Sequence, residues 1–528
     1  MHRFLFISLI IIFVNPVFSQ TIWNVHADSL DINQWQVYIP AAGSFFWDHQ
    51  GISKTYIPKL QKRSPVFCHD LWVGALDNMD SLHVAAQRYL ASGRDYYPGP
   101  VANSYDSIYD SRYNHVWKIS RNEIESHVQN WQNAGYTVPA SIQNWPGNGN
   151  NANGEPAFLA PFKDVNANGV YDPVNGDYPW ISGDQALYTV YNDVRAPHGE
   201  SGGDALGVDV NLLVWAYENN QSVLDSVFFM SYKIVNRSGE DYHDMTIGVF
   251  SDFDIGNAYD DYIGCDSTRN TFFGYNGDDE DGDGAGQSYG YHPPSFGIVF
   301  LKRDMNSFVA FNNSVGNMGM PVMDTAYYNY MTARWNDGTY LTYGGIGYGG
   351  GTSCHFMFSG DPVDNQGWSE VSEGTSPSDR RGIASHFIGD FHAGDEICLD
   401  LAFVFGCSGS QGDNIASVQV MKNNVDYVQD YYDNQIEDCN WWPNSFNEMP
   451  DYLETLLIYP NPASDYFIVE GEGLSNVEIF DITGKIINSE QCSGLMIHVD
   501  IASVTPGLYF VKVHNASGFI TRKIIISR

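Results

Sequence analysis

Residues 227–232 read VFFMSY, and residues 397–405 read ICLDLAFVF. Both stretches are rich in β-branched and aromatic residues and are bounded by Gly or Asp, which is the pattern of strands in a core. Strand-like runs of this kind, with Gly and Asn between them, extend from about residue 186 to residue 406. The sequence therefore predicts a mainly β protein, with a body rich in β-sandwich structure and a few helices.

Two segments carry helix signals. Ser120 is followed by Glu123, which forms a capping box ahead of apolar residues at helical spacing. Between residues 413 and 433 the apolar residues step by three or four, and Asp413 can cap the start of that segment. We therefore expect one helix before the strand-dense segment and one after it.

The pattern changes near residue 453. Seven short runs rich in β-branched residues occupy the last roughly 75 residues, and turns at residues 461–462, 483–484 and 506–507 separate several of them. So many short strands in so short a segment can close a core only as a small sandwich. Residues 453–528 are therefore predicted to form a separate C-terminal β-sandwich.

Four blocks in this segment are specific: YPNPASD at 459–465, FDITGK at 480–485, PGLYFVKV at 506–513 and TRKIII at 521–526. In this order, at the end of the chain, they resemble the type A C-terminal sorting domain of type IX secretion cargo. The resemblance implies an Ig-like β-sandwich that an outer-membrane translocon reads. The motif residues are Pro460, Asn461, Pro462, Asp465, Asp481, Gly484, Lys485, Gly507 and Tyr509.

The start of the chain fits the same route. Residues 1–3 are a short basic start and residues 4–14 an apolar run, which together predict a signal peptide over residues 1–19. The run is too short to span a bilayer, and no later segment is long enough, so we expect no integral membrane segment in the mature chain. The expected partner is the type IX translocon. The expected location is outside the cell or on its surface, reached through the periplasm of a Gram-negative bacterium.

The remaining boundaries follow from composition. Residues 20–193 are mixed, with signals for both helix and strand, and residues 194–436 form a β-rich body domain that ends in a helix. Residues 437–452, with several Trp and Pro, are predicted to be a linker.

Cys398 and Cys407 flank a predicted strand and would lie roughly 30 Å apart at about 3.3 Å per residue, too far to pair. Cys407 can instead reach Cys439 across the second helix.

The formal net charge of −37 excludes nucleic acid and anionic membrane surfaces as expected partners, because both need a basic surface. The acidity comes from 46 Asp against 17 Glu. These Asp residues cluster with Asn and Gly, a combination typical of turns and of sites for hard cations. Calcium is therefore the expected cofactor.

The first candidate calcium loop covers residues 164–172, DVNANGVYD. Oxygen side chains stand at positions 1, 3, 5 and 9 and Gly at position 6, which follows the plan of an EF-hand-type loop. Position 12 is Asn175 instead of a bidentate Glu, and Asp177 is a candidate later ligand. The alternative is a plain Asx-turn loop. The predicted ligands are Asp164, Asn166, Asn168, the carbonyl of Val170, and Asp172.

Two further acidic clusters are candidates. Asp279, Asp281 and Asp283 precede Gly284 as D-x-D-x-D-G, which indicates either a calcium loop or a solvated acidic loop. Asp252 and Asp254 share one face of a predicted strand.

Such a pair suits a cation, a structural turn, or the acid and base of a hydrolase acting on polysaccharide. In the hydrolase reading, Asp260 and Asp261 would join Asp252 and Asp254.

The body also resembles large secreted proteins that share this tail, through DFDIG at 252–256 and DDYIGCD at 260–266. That family has no established activity, so the resemblance implies a coherent body without a mechanism. No catalytic set stands out in the sequence. The favoured hypothesis is a calcium-stabilised binding or adhesion protein with a glycan or another surface ligand. The alternatives are the polysaccharide hydrolase and a structural surface-layer subunit.

Overall fold

The computed structural model describes residues 25–218, 222–282, 287–409, 413–436, 457–480, 485–515 and 518–527. The chain forms two compact units, Met1–Trp442 and Pro443–Arg528, which we call the body and the tail unit. The predicted signal peptide at residues 1–19 and the predicted linker at 437–452 lie outside the described residues.

The body is built mainly from strands, as the sequence predicts. Its strands are β1 Ala27–Leu30, β2 Val37–Pro40, β3 Cys68–Asp77, β4 Leu82–Ala85, β5 Tyr97–Pro98, β6 Trp117–Ser120, β7 Phe162–Lys163, β8 Tyr178–Pro179, β9 Gln185–Asn192, β10 Val208–Ala216, β11 Val227–Asn236, β12 Tyr242–Phe253, β13 Asp261–Asp266, β14 Thr271–Asn276, β15 Ser295–Phe300, β16 Ser307–Phe311, β17 Arg380–Phe391 and β18 Glu396–Gly406. Its α-helices are α1 Ser107–Tyr113, α2 Arg121–Asn130, α3 Ala140–Gln143, α4 Asp324–Met331, α5 Glu370–Glu373 and α6 Asn414–Gln435. Short 3₁₀ turns cover Lys59–Gln61, Asn151–Asn153, Pro173–Asn175 and Val223–Ser226.

A nine-stranded sheet forms the centre of the body. Its order is β13-β14-β15-β18-β11-β10-β9-β5, with β6 also paired to β9. Alternate residues of β10 enter two different cores: Leu212 and Val214 lie in one, and Leu213 and Trp215 in the other. Because both faces are covered, the central strands have few polar positions, which explains the unbroken apolar runs in the sequence.

The second large sheet has five strands in the order β16-β17-β12-β3-β4. It packs face to face on the nine-stranded sheet: Nε2 of His69 on β3 lies 3.1 Å from the hydroxyl of Tyr232 on β11. Phe253 on β12 makes an edge contact with Phe272 on β14, with ring centroids 5.7 Å apart. The body is therefore a β-sandwich, and it draws strands from both sides of the division expected at residues 193 and 194.

Helices cover the outer faces of the sandwich. The long helix α6 packs on β15 and β18, and its Met421 comes so close that a Cβ on Gly406 would lie 2.3 Å from the Met421 backbone nitrogen. On the opposite side, α4 packs on the five-stranded sheet, where Tyr327 meets Trp72 with ring centroids 4.7 Å apart. The order of layers is helix, sheet, sheet, helix.

Both predicted helices are confirmed. Helix α2 begins after Ser120, whose side chain and that of Glu123 form the reciprocal capping box. Helix α6 begins after Asp413, whose carboxylate accepts a hydrogen bond from the backbone N–H of Ala416 at 2.8 Å. Local side-chain chemistry was enough to locate both starts.

The tail unit is a small β structure with strands β19 Leu457–Tyr459, β20 Tyr466–Phe480, β21 Ile486–Asp500, β22 Gly507–Asn515 and β23 Gly518–Ile526. The order is β19-β20-β22-β23, with β21 paired to β20. Among the described residues, the tail unit has five strands instead of the seven short strands expected from the sequence, because two pairs of the predicted runs each form one strand that continues through an irregularity instead of a turn. One of these irregularities is the register shift between Glu470 and Leu474 in β20.

The cysteines follow the sequence argument in part. Cys398 is disulfide-bonded and Cys407 is free, so the two do not pair with each other. The free state of Cys407 also shows that a Cys407 to Cys439 bridge is wrong; Cys439 itself lies outside the described residues. Cys398 stands near the start of β18, on the face that packs against the helices.

Candidate metal centre

An antiparallel strand pair brings the first set of acidic side chains together. Residue Asp252 of β12 stands directly opposite Arg381 of β17. Asp254 follows the end of β12 by one residue, and Asp379 precedes the start of β17 by one residue. Because the end of one strand lies beside the start of the other, all four charged residues meet at one edge of the five-stranded sheet.

The distances define a compact cluster. Carboxylate oxygens of Asp252, Asp254 and Asp379 lie within 4.8 Å of one another. The Arg381 guanidinium joins two of them, with Nη1 2.6 Å from Asp379 Oδ1 and Nη2 3.3 Å from Asp252 Oδ2. The Tyr89 hydroxyl donates to the same Asp252 oxygen at 2.7 Å and accepts from Nε of Arg381 at 2.6 Å.

The cluster is short of positive charge. Burial raises the pKa of Asp252 to about 7, although the Arg381 charge acts in the opposite direction. Burial also raises the pKa of Asp254 well above its usual value, and the charges of Asp252 and Asp379 add to that effect. Carboxylates held this close repel one another unless they are protonated or a cation lies between them.

Asp379 is the member that sequence reasoning missed. It lies 125 positions after Asp254 in the chain, immediately before a strand, in a sequence (SDRRG, residues 378–382) without any metal spacing. The one available signal is the doublet Arg380-Arg381 beside an acidic residue at a strand start. Only the pairing of β12 with β17 makes that signal meaningful.

Asp260 and Asp261, which the hydrolase hypothesis groups with Asp252, lie outside this cluster. Asp261 is fully buried and one carboxylate oxygen accepts from the Ile255 backbone N–H at 2.9 Å. Asp260 accepts from the Gly282 backbone N–H at 3.0 Å. Both residues therefore hold the loops that follow β12 and β14.

The predicted loop of Asp279, Asp281 and Asp283 is only partly described. Asp279 is exposed, and Asp283 lies outside the described residues. Asp281 is buried, and its two oxygens accept backbone N–H groups of Asn257 and Tyr289. Burial raises the pKa of Asp281 to about 6. Its described contacts are those of a loop-bracing residue, and calcium at this position stays a prediction.

The loop at residues 164–172 folds around its own side chains. Asp164 accepts from the backbone N–H groups of Asn168 and Gly169, at 3.2 and 2.6 Å. The amide groups of Asn166 and Asn168 donate to the two oxygens of Asp172, at 3.1 and 3.0 Å. The side chains at positions 3, 5 and 9 of the predicted pattern are thus linked to one another, and that at position 1 binds the loop backbone; the Val170 side chain is exposed.

Asp177 binds the backbone at both ends of this loop. It is fully buried, and its two oxygens accept from the backbone N–H groups of Val165 and Asp172, each at 2.8 Å. Burial raises the pKa of Asp177 to about 6. For Asp172, burial acts in the upward direction, but hydrogen bonds from neighbouring side chains, Asn175 first, lower its pKa overall.

The motif residues of the tail unit lie far apart in sequence but partly adjacent in space. Asn461 accepts from the Ile525 backbone N–H at 2.9 Å, so the first block contacts the last strand. Tyr509 donates from its hydroxyl to the Thr505 carbonyl at 2.8 Å. Pro460, Pro462, Asp465, Lys485 and Gly507 are described, whereas Asp481 and Gly484 lie outside the described residues.

The fold and these contacts define a two-unit protein in which a short C-terminal β unit has a hydrophobic core of its own. Residues 457–527 match the family model of the secretion system C-terminal sorting domain. The tail unit is thus a type IX secretion sorting domain, and the chain is a secreted or cell-surface protein exported by a Gram-negative-type system.

None of the curated proteins matches the chain in sequence. A solved structure named as a polysaccharide lyase is 9% identical, with a TM-score of 0.19, and the match covers 70% of this chain and 39% of that one. The chain thus spans well under half the length of that protein. Among the described residues, no helix combines the length and the apolar character needed to cross a membrane.

Proposed function

We propose that the body acts outside the cell by binding a surface ligand or glycan, and that calcium in the loop of residues 164–177 stabilises it. The observation that carries the calcium part is that the side chains of Asn166 and Asn168 both contact Asp172, while Asp164 binds the backbone of the same loop and the buried Asp177 binds the backbone at Val165 and Asp172. Oxygen ligands in an irregular arrangement are what Ca²⁺ binds in proteins.

The hydrogen bonds of the loop suit an exchange with a cation. The amide nitrogens of Asn166 and Asn168 point at Asp172 and neutralise it by donation. The amide oxygens of Asn166 and Asn168 accept the backbone N–H groups of Asn168 and Val170, at 3.1 and 2.7 Å. A cation that binds these oxygens would replace the hydrogen bonds to Asp172 and would neutralise its charge directly.

Removal of calcium is expected to lower the melting temperature of the body by several degrees. A ligand that binds only the folded state adds RT ln(1 + [L]/Kd), which is about 2.7 kcal/mol at a hundredfold excess over Kd. The measurement is thermal unfolding of the full chain with calcium and with chelator, followed by Trp fluorescence. All Trp residues precede residue 443, so the signal reports on the body alone.

The variant Asp172→Asn should abolish the part of the calcium effect that comes from this loop, since it removes the charged group to which both Asn amides donate. Asp364→Asn is the matched control, because Asp364 also braces a turn by accepting a backbone N–H, at 2.9 Å from Gln366, and is exposed. If the unmodified chain has the same melting temperature with calcium and with chelator, the calcium part of the proposal is refuted.

The burial of Asp252 favours a cation over a sugar at that cluster. Asp252 is 2% exposed, so a sugar ring cannot reach it, whereas an ion can be enclosed.

A panel of glycans and peptides separates binding from hydrolysis. Retention without turnover supports the binding role, and turnover that disappears in Asp254→Asn would support the hydrolase instead. Concentration-dependent assembly in light scattering would indicate the surface-layer subunit.

A further inference from the structure

We infer that Asp252, Asp254 and Asp379 form a second site, which binds a hard divalent cation at the junction of β12 and β17. This site is independent of the loop at residues 164–177 and does not rest on the proposed binding function. Its three carboxylates come from two chain segments that meet only in the folded sandwich.

The first support is a buried oxygen without a partner. Asp252 is 2% exposed, and its Oδ2 is engaged by Tyr89 and Arg381, but none of the described residues donates a hydrogen bond to its Oδ1. A buried carboxylate oxygen that gains no partner costs the full desolvation of that oxygen. A cation among the three carboxylates would supply the missing partner.

The second support is the role of Arg381. Its guanidinium contacts one oxygen of Asp252 and one oxygen of Asp379. The second oxygen of each carboxylate is left for another ligand, and the fork geometry of the guanidinium fixes the orientation of both groups. Arg381 thus acts as a positioning residue that holds two of the three proposed ligands.

The third support is the charge. Three ionised carboxylates and one guanidinium leave two negative charges in a largely buried volume. A divalent cation cancels them, whereas a monovalent cation leaves a buried charge, which is costly. Asp254 and Asp379 are only partly buried, so solvent has access to the site from their side.

The ligand set identifies the class of cation. All donors are carboxylate oxygens, without Cys or His, which suits magnesium, calcium or manganese and not zinc or copper. The oxygens lie within 4.8 Å of one another, which is no farther apart than ligands of one ion held at about 2.3–2.6 Å each can stand. Calcium fits best because it tolerates irregular geometry and can complete its shell with water.

The test is isothermal titration of the chelator-stripped full chain with CaCl₂, repeated with MgCl₂ and ZnCl₂. We expect Asp379→Asn and Asp254→Asn each to weaken this site by about tenfold or more, as losses around metal sites typically do. Asp390→Asn is the matched control: it removes the same charge from an exposed position on the same strand. Asp172→Asn separates the two sites, because it should leave this one unchanged.

Each outcome decides the question. Calcium binding that is lost in the Asp379 and Asp254 variants and kept in the Asp390 and Asp172 variants supports the site, whatever the loop does. Equal binding in the native chain and in both cluster variants overturns it. The Asn substitutions preserve shape and reduce like-charge repulsion, so we expect the variants to fold. Anomalous density from Mn²⁺ soaked into crystals of the native chain gives a second measurement, and the absence of a peak among the three carboxylates would also overturn the site.

Discussion

A chain that ends at residue 442 is expected to remain in the cell envelope, while the full chain reaches the medium or the cell surface. The truncation removes the tail unit, which is compact on its own and matches the sorting-domain family over residues 457–527. The measurement is the distribution of the protein between cells and medium, by immunoblot.

The hydrogen bonds of the tail unit lead to a second, more specific prediction. Deletion of the last strand alone, residues 518–527, should block export as fully as the larger truncation. That strand provides the N–H group that Asn461 accepts and the carbonyl that accepts from Ala463, so the first motif block loses its support.

Two checks complete this experiment. The retained body should keep its native Trp fluorescence, which shows that misfolding is not the cause. Fusion of residues 443–528 to a reporter that carries a signal peptide should direct the reporter outside. Equal export of the truncated and full chains would contradict the assignment of the tail.

Replacement of His198 by Gln is expected to destabilise the body by about 3 kcal/mol, the usual cost of breaking a buried charge pair. The two ring nitrogens of His198 lie 2.7 Å from the carbonyl oxygens of Val84 and Asp193. A carbonyl oxygen can only accept, so both ring nitrogens must donate, and the imidazole is a cation. Asp95 and Asp193 place carboxylate oxygens 3.7 Å from the two nitrogens.

The effect should depend on pH with a definite sign. Burial alone would lower the pKa of His198, but Asp95, Asp193 and the two carbonyl groups raise it overall. A pKa raised in the folded state adds stability that is fully present below the unfolded value of about 6.5 and disappears as the pH rises through the folded value. The difference between native and variant should therefore be larger at pH ~6 than at pH ~9.

Denaturant unfolding at the two pH values, followed by Trp fluorescence, measures this difference in the body alone. His392→Gln is the control, because His392 is exposed and its substitution should change the free energy of unfolding by less than about 0.5 kcal/mol. A difference for His198→Gln that is constant with pH would show that the ring is not a buried cation.

The features that the sequence predicts correctly are those that depend on residues close together in the chain. The capping box of Ser120 and Glu123 and the cap by Asp413 involve residues three apart, so both helices were predicted correctly. The strand character of residues 227–232 and 397–405 follows from composition, and both runs are strands of one sheet. The strand boundaries of the tail were less accurate, because a strand that continues through a bulge and a strand that ends in a turn have similar local sequences.

The sequence by itself determined the type IX sorting tail and the β class of both units, and it predicts the calcium-type loop at residues 164–172, because each of these depends on contiguous residues. The tertiary structure alone decided which acidic residues meet. Asp254 is joined by Asp379 and not by Asp260 or Asp261, although these two are much nearer in the chain. The reason is physical: an antiparallel pair places residues together according to its register, and the register of β12 on β17 is set by the packing of the whole sandwich.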